Sequence, residues 1–424
     1  MTSLKEELAR EIGSKNRELR DWLQTQLAAA PPPFYCSVDL RDSGHKVVPV
    51  DCNLYPAGFN NLCPEDLRTA AATLRVQMTA SAKAAGRGTP GRLLLLPESH
   101  THNPYYTENL FYLLQIMNNA GFEARLGWYG PLPPEAEKDK MVRLKSESGK
   151  ELMAWPIEIS GGVLSAGDFV PDLILLNNDF SIGYPHGLDP VTQPIVPSYT
   201  LGWHSRKKSD HFIHYNRLAG EFAGIVGIDP WTVQLDTEIV DPVDFNEGVG
   251  IEETAESVAR VLDRMRQAYS DRKLQRDPFA FVKSNRGTYG MGIVVVRSAD
   301  ELRTMNRRVK NKMSVGKNRI PIDSVVVQEG VPTATLVDRL PAEPVIYLMG
   351  ADLVGGFLRT HSERGTEENL NAPGMVFRKL CMSDLQTSEE DAKPQPVLEL
   401  VYGWVARLSA LAAGRELQTR SMVK

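Results

Sequence analysis

Hydrophobic and polar positions along this chain change period often, and each change marks an element. Through residues 2–28 the apolar positions recur at helical spacing behind Thr2 and Ser3, either of which caps a helix, and Pro31-Pro32-Pro33 ends it. Residues 35–40 and 46–51 then read as two strands joined by the turn Arg41-Asp42-Ser43-Gly44. Residues 92–97 are apolar behind a leading arginine, as a buried strand is. The period lengthens to a helix over 107–120, stopped at Gly121, and a strand follows at 122–128. Together these predict one right-handed βαβ unit. Residues 141–144 and 152–159 read as a hairpin around Glu147-Ser148-Gly149-Lys150, and 172–176 as another buried strand. The Pro- and Gly-rich stretch 183–200 is a crossing loop. A helix opens after it at Ser209 or Asp210, and a long amphipathic helix covers 251–273.

That helix leads into PFAFVKSNRGTYGMGIVVVR, residues 278–297, which reads as a strand, a glycine-rich loop and a second strand. Glycines let backbone N–H groups approach a ligand without a Cβ in the way, and a row of such groups suits phosphate oxygens. The loop is Gly287-Thr288-Tyr289-Gly290-Met291-Gly292, with Lys283 at the end of the first strand and Arg286 at the entrance as cations for the same phosphates. A Walker A loop would end in Gly-Lys-Ser/Thr and open a helix; here the lysine precedes the glycines and a strand follows. A dinucleotide fingerprint fails for the same lack of a helix. What remains is a flap over a triphosphate, or a flexible hairpin without a ligand. Downstream, 324–328 is an apolar strand followed by Glu329-Gly330-Val331, and 344–349 with 353–358 form a hairpin turning at Gly350-Ala351-Asp352. Residues 397–417 are a final helix with Leu and Ala on one face.

Composition narrows the class. At 424 residues two or three domains are expected, and a net charge of −5 gives no general attraction to nucleic acid or anionic membrane. The first 23 residues are charged throughout, so no signal peptide is expected; no apolar run reads as a membrane span, and a cytoplasmic enzyme is expected. Cys36, Cys52, Cys63 and Cys381 lack CxxC spacing, so neither structural zinc nor a disulfide is expected. The basic run from Arg307 to Arg319 has no interleaved aromatics and reads as a solvated helix end.

Two blocks carry substrate-like chemistry. Residues 34–62, FYCSVDLRDSGHKVVPVDCNLYPAGFNNL, suit a small zwitterion: Arg41 for a carboxylate, Asp39 and Asp51 for an ammonium, and the amides of Asn53, Asn60 and Asn61 for orientation. The plain alternatives are a surface Ω-loop and, for Arg41 and Asp42, a β-turn. Glu98, His100 and His102 stand at the carboxyl end of a strand, where open α/β sheets place ligands; without a third histidine they read as a substrate-side or merely polar loop rather than a metal cluster. The cluster Arg206-Lys207-Lys208 at a helix start suits a carboxylate or phosphate, or only solvent.

The order of elements from 278 to 374 resembles the nucleotide half of the ATP-grasp ligases, and RTHSERGTEENLNAPG is similar to the arginine-to-asparagine stretch of bacterial glutathione synthetase. The 34–62 block and GWHSRKKSDHFIHYN closely resemble the proteobacterial glutamate–cysteine ligases built on that fold. The resemblance implies an α/β chain with an N-terminal substrate domain over 1–200 and an ATP-grasp domain over 201–424, whose two α+β subdomains sandwich ATP. It implies the cofactors ATP and Mg2+, the substrates L-glutamate and L-cysteine, and no nucleic-acid or membrane partner; a homo-oligomer is compatible with it. Lys283 and the 286–292 loop would hold phosphates, and Gln328, Glu329, Gly330 and Val331 the adenine. Arg359 would meet the developing acyl-phosphate charge, and Glu368, Asn369 and Asn371 the magnesium, although ENLN departs from the simpler E-x-N of relatives. The rival readings are a glutathione synthetase of the same fold and a nucleotide-binding protein without turnover.

Overall fold

The computed structural model describes residues 3–84, 86–99, 103–136, 141–287, 292–316, 320–381 and 397–421. It is a mixed α/β protein. The expected first helix is two, α1 (Leu4–Ser14) and α2 (Asn16–Ala29). Ser3 caps α1 in a capping box with Glu6, and the poor helix formers Gly13, Ser14 and Asn16 flank the break at Lys15. Next come β1 (Tyr35–Asp42), β2 (Val47–Asn53), α3 (Pro64–Ala84), β3 (Arg92–Pro97), α4 (Pro104–Asn119) and β4 (Glu123–Trp128). The strands β5 (Val142–Lys145), β6 (Glu151–Ser160), β7 (Val163–Ala166), β8 (Leu173–Asn177) and β9 (Ile195–Val196) follow, then α5 (Lys208–Val226), β10 (Thr237–Val240) and α6 (Ile251–Asp271). The last third holds β11 (Ala280–Ser284), β12 (Ile293–Val296), α7 (Ala299–Arg303), α8 (Arg307–Ser314) and β13 (Val325–Glu329). It closes with β14 (Leu336–Val337), β15 (Leu340–Met349), β16 (Asp352–His361), β17 (Met375–Lys379) and α9 (Val397–Ser421).

These strands form three sheets. One has seven strands, with β3 parallel to both β4 and β8, as the βαβ reading expects. A second has four, in the order β10-β13-β11-β12, with β11 antiparallel to both neighbours. The third runs β17-β16-β15-β1-β2, so the first hairpin of the chain is completed by strands from its last hundred residues. Alternation explains how that third sheet is covered. Val38, Leu40, Ile346 and Leu348 face a core shared with α1, α5 and α9, whereas Tyr35, Val345, Tyr347 and Phe357 face a core shared with α3 and α4.

Three expectations are corrected here. Arg41 and Asp42 lie in β1 rather than in the turn, which falls at 43–46, because β1 pairs with β2 as far as Asp42 opposite Val47. Cys63 and Cys381 form a disulfide, their Cα atoms 5.5 Å apart across 318 positions of sequence, a proximity no local spacing reveals. Finally, Val397–Arg420 is long and apolar enough to cross a membrane, though no such run was expected. Its apolar character has another use: Val401, Val405, Leu408, Ala412 and their neighbours are buried in the core against α5 and the third sheet.

A buried ion network pins α9. Arg206, 2 % exposed, donates to both Glu416 carboxylate oxygens at 2.8 and 2.9 Å and to the Cys52 carbonyl. His211 Nδ1 meets Glu416 Oε1 at 2.6 Å and its Nε2 meets Ser409 Oγ at 3.0 Å. Arg206 therefore serves the scaffold, not a ligand. Burial would raise the Glu416 pKa, but Arg206 and His211 hold it down at about 2. Glu416→Gln strands the Arg206 charge and is expected to cost about 3–5 kcal/mol at neutral pH. A carboxylate with a depressed folded pKa contributes stability above its unfolded value and loses it as pH falls. The deficit of the variant, followed by urea denaturation, should therefore narrow between pH 4.5 and about 2.

Candidate active site

The site grows from the polar face of β1. Alternation puts Asp39 and Arg41 on the side opposite Val38 and Leu40, and the register sets Asp39 directly across from Asp51. Two like charges on a cross-strand pair repel unless cations reach them. Lys208, at the start of α5, reaches Asp51 at 2.6 Å, and Arg359 of β16 reaches Asp39 at 2.8 Å. The ladder slips just after this pair: Leu40 faces Pro49, so Val50 is left over as a bulge. Its freed carbonyl accepts Lys283 Nζ at 3.3 Å.

On the neighbouring strands Glu343 lies opposite Arg359, which it meets at 2.6 Å, and its other oxygen accepts Arg41 Nε at 2.8 Å. Arg41 also donates to the carbonyls of Thr366 at 3.0 Å and Glu368 at 2.6 Å, bracing the segment that carries Asn369 and Asn371. The four-stranded sheet supplies the opposite wall. Ala280 and Val282 face the α6 core, which turns Phe281 and Lys283 outward to the pocket. Asn285 holds this end in place: fully buried, it accepts the Ser209 amide at 2.9 Å and so caps α5 from another element.

A small pocket lies between the two sheets, lined by Asp39, Arg41, Val50, Asp51, Lys208, Phe281, Lys283, Ser284, Gly287, Ile293, Glu343, Asn369 and Asn371. A larger groove, open to solvent, continues from it along β12 and past residues 364–373. Within the charged cluster two buried atoms have no partner among the described residues, Asp39 Oδ1 and Arg359 Nε. Burial raises the Asp39 pKa, with the Glu343 and Asp51 charges adding to it and Arg359 opposing. Burial acts the same way on Asp51 and Glu343, yet the cations around each win and hold both below the ordinary carboxylate range. Lys283 is pushed down to about 7 by burial and by the nearby Lys208 and Arg41 charges, against Asp51 and Glu343.

The expected residues divide. Asp39, Arg41, Asp51, Lys283, Gly287, Asn369 and Asn371 line the pocket together. Gly287 has φ +98°, which favours glycine, and a Cβ on Gly292 would fall 2.5 Å from Ile322. Arg286 turns away towards Asp323 at 3.5 Å. Gln328, Glu329, Gly330 and Val331 are buried off the pocket wall, with Gln328 Oε1 accepting Lys283 Nζ at 2.6 Å. Asn53, Asn60 and Asn61 do not line it either; the last two bond each other at 3.2 Å. The Glu368 carboxylate lines the outer groove, bonded to Arg364 at 2.8 Å and the Gly365 amide at 2.7 Å. Thr288, Tyr289, Gly290 and Met291, with His100 and His102, lie outside the described residues. Glu343 was missed, and Lys208 was seen only as one of three cations. The missed signal was a lone carboxylate inside the apolar run LPAEPVIYLM, since a glutamate is almost never buried unpaired.

No cluster of three or more His, Cys, Asp or Glu side chains suited to a metal occurs among the described residues. Oxygen ligands suited to Mg2+ are present only in part: the orphaned Asp39 oxygen lines the same pocket as Asn369 and Asn371, whereas both Glu343 oxygens are taken by Arg359 and Arg41. Glu368 fits less well, because both its oxygens are engaged.

Comparison with known proteins settles the family. The glutamate–cysteine ligase family profile matches residues 9–417. The chain belongs to the glutamate–cysteine ligase family. A crystal structure of a Methylobacillus flagellatus KT protein, provisionally described as a gamma-glutamylcysteine synthetase, is similar at 37% identity with a TM-score of 0.85, over 97% of this chain and 96% of that one. D-cycloserine synthetase (14% identity, TM-score 0.36, covering 77% and 82%) carries no argument at that level. Nor does D-alanyl-alanine synthetase A of Vibrio cholerae O1 (13% identity, TM-score 0.33, covering 75% and 79%). No curated protein sequence matches significantly. The activity is that of an ATP-dependent, ADP-forming ligase joining glutamate to cysteine.

In this ligase Lys283 sits in the pocket at a cost to stability. Its folded pKa lies below the unfolded 10.5, so the folded state binds fewer protons and gains stability as pH rises from about 7 towards 10.5. Lys283→Met should abolish that rise and unfold at an equal or higher temperature than wild type at pH 6, while turnover falls by about 10²–10³-fold. Thermal scans from pH 6 to 10, beside an ADP-release assay, check both halves.

Proposed function

We propose that the pocket between the two sheets is the ligase centre, arranged as in the ATP-grasp enzymes, and that reaction passes through a γ-glutamyl phosphate. One observation carries this reading. Lys283, Lys208 and Gly287, suited to phosphate, line the same small pocket as Asp39 and Glu343, which hold the buried Arg359. The opposing sheets thus contribute opposite halves of the chemistry.

In the first step a γ-carboxylate oxygen of glutamate attacks the γ-phosphorus of ATP and ADP leaves. In the second the cysteine amine attacks the acyl carbonyl, phosphate leaves, and the amine gives up its proton. Nothing in this requires a covalent enzyme intermediate, so the protein contributes position and charge. Lys283 and Lys208 neutralise phosphate oxygens, and the groove along β12 takes the rest of the nucleotide; the assignment of adenine to Gln328–Val331 is kept from the resemblance, these residues lining neither the pocket nor the groove. Arg359 offers its unpartnered Nε to the charge of the acyl phosphate. Arg41 serves the glutamate α-carboxylate with its remaining donors, and Asp39 or Asp51 the ammonium. Mg2+, held by Asn369 and Asn371 with Asp39, would supply further neutralisation of phosphate charge when bound. The 1–200 and 201–424 halves act as substrate and ligase domains, joined by the β1–β2 hairpin. An acyl phosphate hydrolyses readily, and the buried position of the cluster excludes water.

An ADP-release assay over single amino acids and pairs tests the reading: release should require glutamate and be completed by cysteine, and a requirement for γ-glutamylcysteine with glycine would instead favour a glutathione synthetase. Arg41→Lys keeps the charge but loses the fork that meets Glu343 and two carbonyls at once. It is expected to raise the glutamate KM at least several-fold and to leave the ATP KM nearly unchanged. Steady-state kinetics with each substrate varied separately decide this.

A further inference from the structure

The β1–β2 hairpin is tied to the four-stranded sheet at two buried points. At the bulge, the Val50 carbonyl accepts Lys283 Nζ. At the tip, Lys46, 3 % exposed, forms an ion pair with Glu329, the last residue of β13. The same Glu329 oxygen accepts the Asp236 amide at 2.8 Å. Trp231 covers Lys46, its ring centroid 4.5 Å from the ammonium. Lys46 does not line the central pocket, so it has no part in the chemistry there. A hairpin tip needs no buried ammonium for its own sake, and a well-packed apolar residue would generally serve stability as well.

The residues after Glu329 have little freedom of their own. Gly330 donates its amide to the Phe279 carbonyl at 2.7 Å, and a Cβ there would fall 2.3 Å from the Phe279 ring. The Ala334 amide bonds the Asp42 carbonyl at 2.7 Å, fastening the segment to the end of β1 itself. The strand that presents Asp39 and Arg41 and the segment 328–331 are therefore one mechanical unit, with the Lys46–Glu329 pair as its side-chain link.

We infer that Lys46 is a positioning residue that couples amino-acid binding on β1–β2 to nucleotide binding at the hinge. The inference rests on the assignment of 328–331 to ATP. Glutamate that displaces Asp39 and Arg41 on β1 displaces the hinge with them through Lys46 and Glu329, and by linkage ATP does the reverse.

The test is calorimetric titration of the full chain with the non-hydrolysable analogue AMP-PNP and magnesium, with and without glutamate. Wild type should bind the analogue at least about 5-fold more tightly with glutamate present, the lower end of typical coupling. In Lys46→Met the ratio should fall to near one and the ATP KM should rise more than kcat falls; Lys46→Arg should restore most of both. Because Lys46→Met leaves a buried carboxylate unpaired and can fail to fold, the double variant Lys46→Met/Glu329→Leu keeps the test decisive. It should recover the wild-type unfolding temperature without recovering the coupling. Retained coupling in that folded double variant, or no coupling in wild type, overturns the inference. Failure of wild type to bind the analogue at all would instead overturn the ligase reading of the pocket, and this inference with it.

Discussion

The structure depends on how one pair of like charges is accommodated. Asp39 and Asp51 face each other on adjacent strands, a placement that cannot persist on its own. Its counter-charges come from elsewhere in the chain: Lys208 opens α5, and Arg359 sits in β16. Glu343 then becomes necessary, because Arg359 and Arg41 crowd the same space. Each ion recruited to satisfy one neighbour brings a further element to the same point. The position of the four-stranded sheet follows, because Lys208 can reach Asp51 only if the start of α5 is fixed, and Asn285 fixes it.

Much of this was legible from local pattern. Most strands were found, because short apolar and β-branched runs mark strands, as in 92–97 and 293–296. The pocket's Asp39, Arg41, Asp51, Lys283 and Gly287 were also legible, since their residue types suit phosphate and zwitterion chemistry. What escaped was whatever depends on partners distant in sequence. Arg41 was assigned to a turn because Arg-Asp-Ser-Gly has turn composition, yet pairing with β2 extends the strand through it. Glu343 passed unnoticed between the prolines of an apolar run. The Cys63–Cys381 disulfide joins residues whose only relation is tertiary. The adenine segment came from likeness alone, and Gln328 turns its side chain to Lys283 rather than to open space.

The reverse face of the same hairpin explains why the charged face can be so costly. Val38 and Leu40 pack into the large core against α9, and the Cys52 carbonyl is bonded by Arg206, itself held by Glu416 of that helix. A strand anchored so firmly on one side can carry unfavourable charge on the other. The length and apolarity of α9, which resemble a membrane span by composition, follow from this task, because a core this broad needs a helix that is apolar nearly all round.

Two atoms of the charged cluster lack partners among the described residues. Buried polar atoms are nearly always satisfied, so an orphaned carboxylate oxygen and an orphaned guanidinium nitrogen in one cluster mark a structure built to receive something. A ligand offering a cation to Asp39 Oδ1 and an anion to Arg359 Nε would satisfy both at once. The same holds for Lys283, whose pKa near 7 reflects a poorly balanced charge that an anionic phosphate would balance. A ligand that satisfied these groups would therefore remove costs that the free protein carries. Such a site sacrifices stability for a preorganised field, and the acyl phosphate proposed for this pocket would need that field most, since it would have to outlast hydrolysis until the amine attacks.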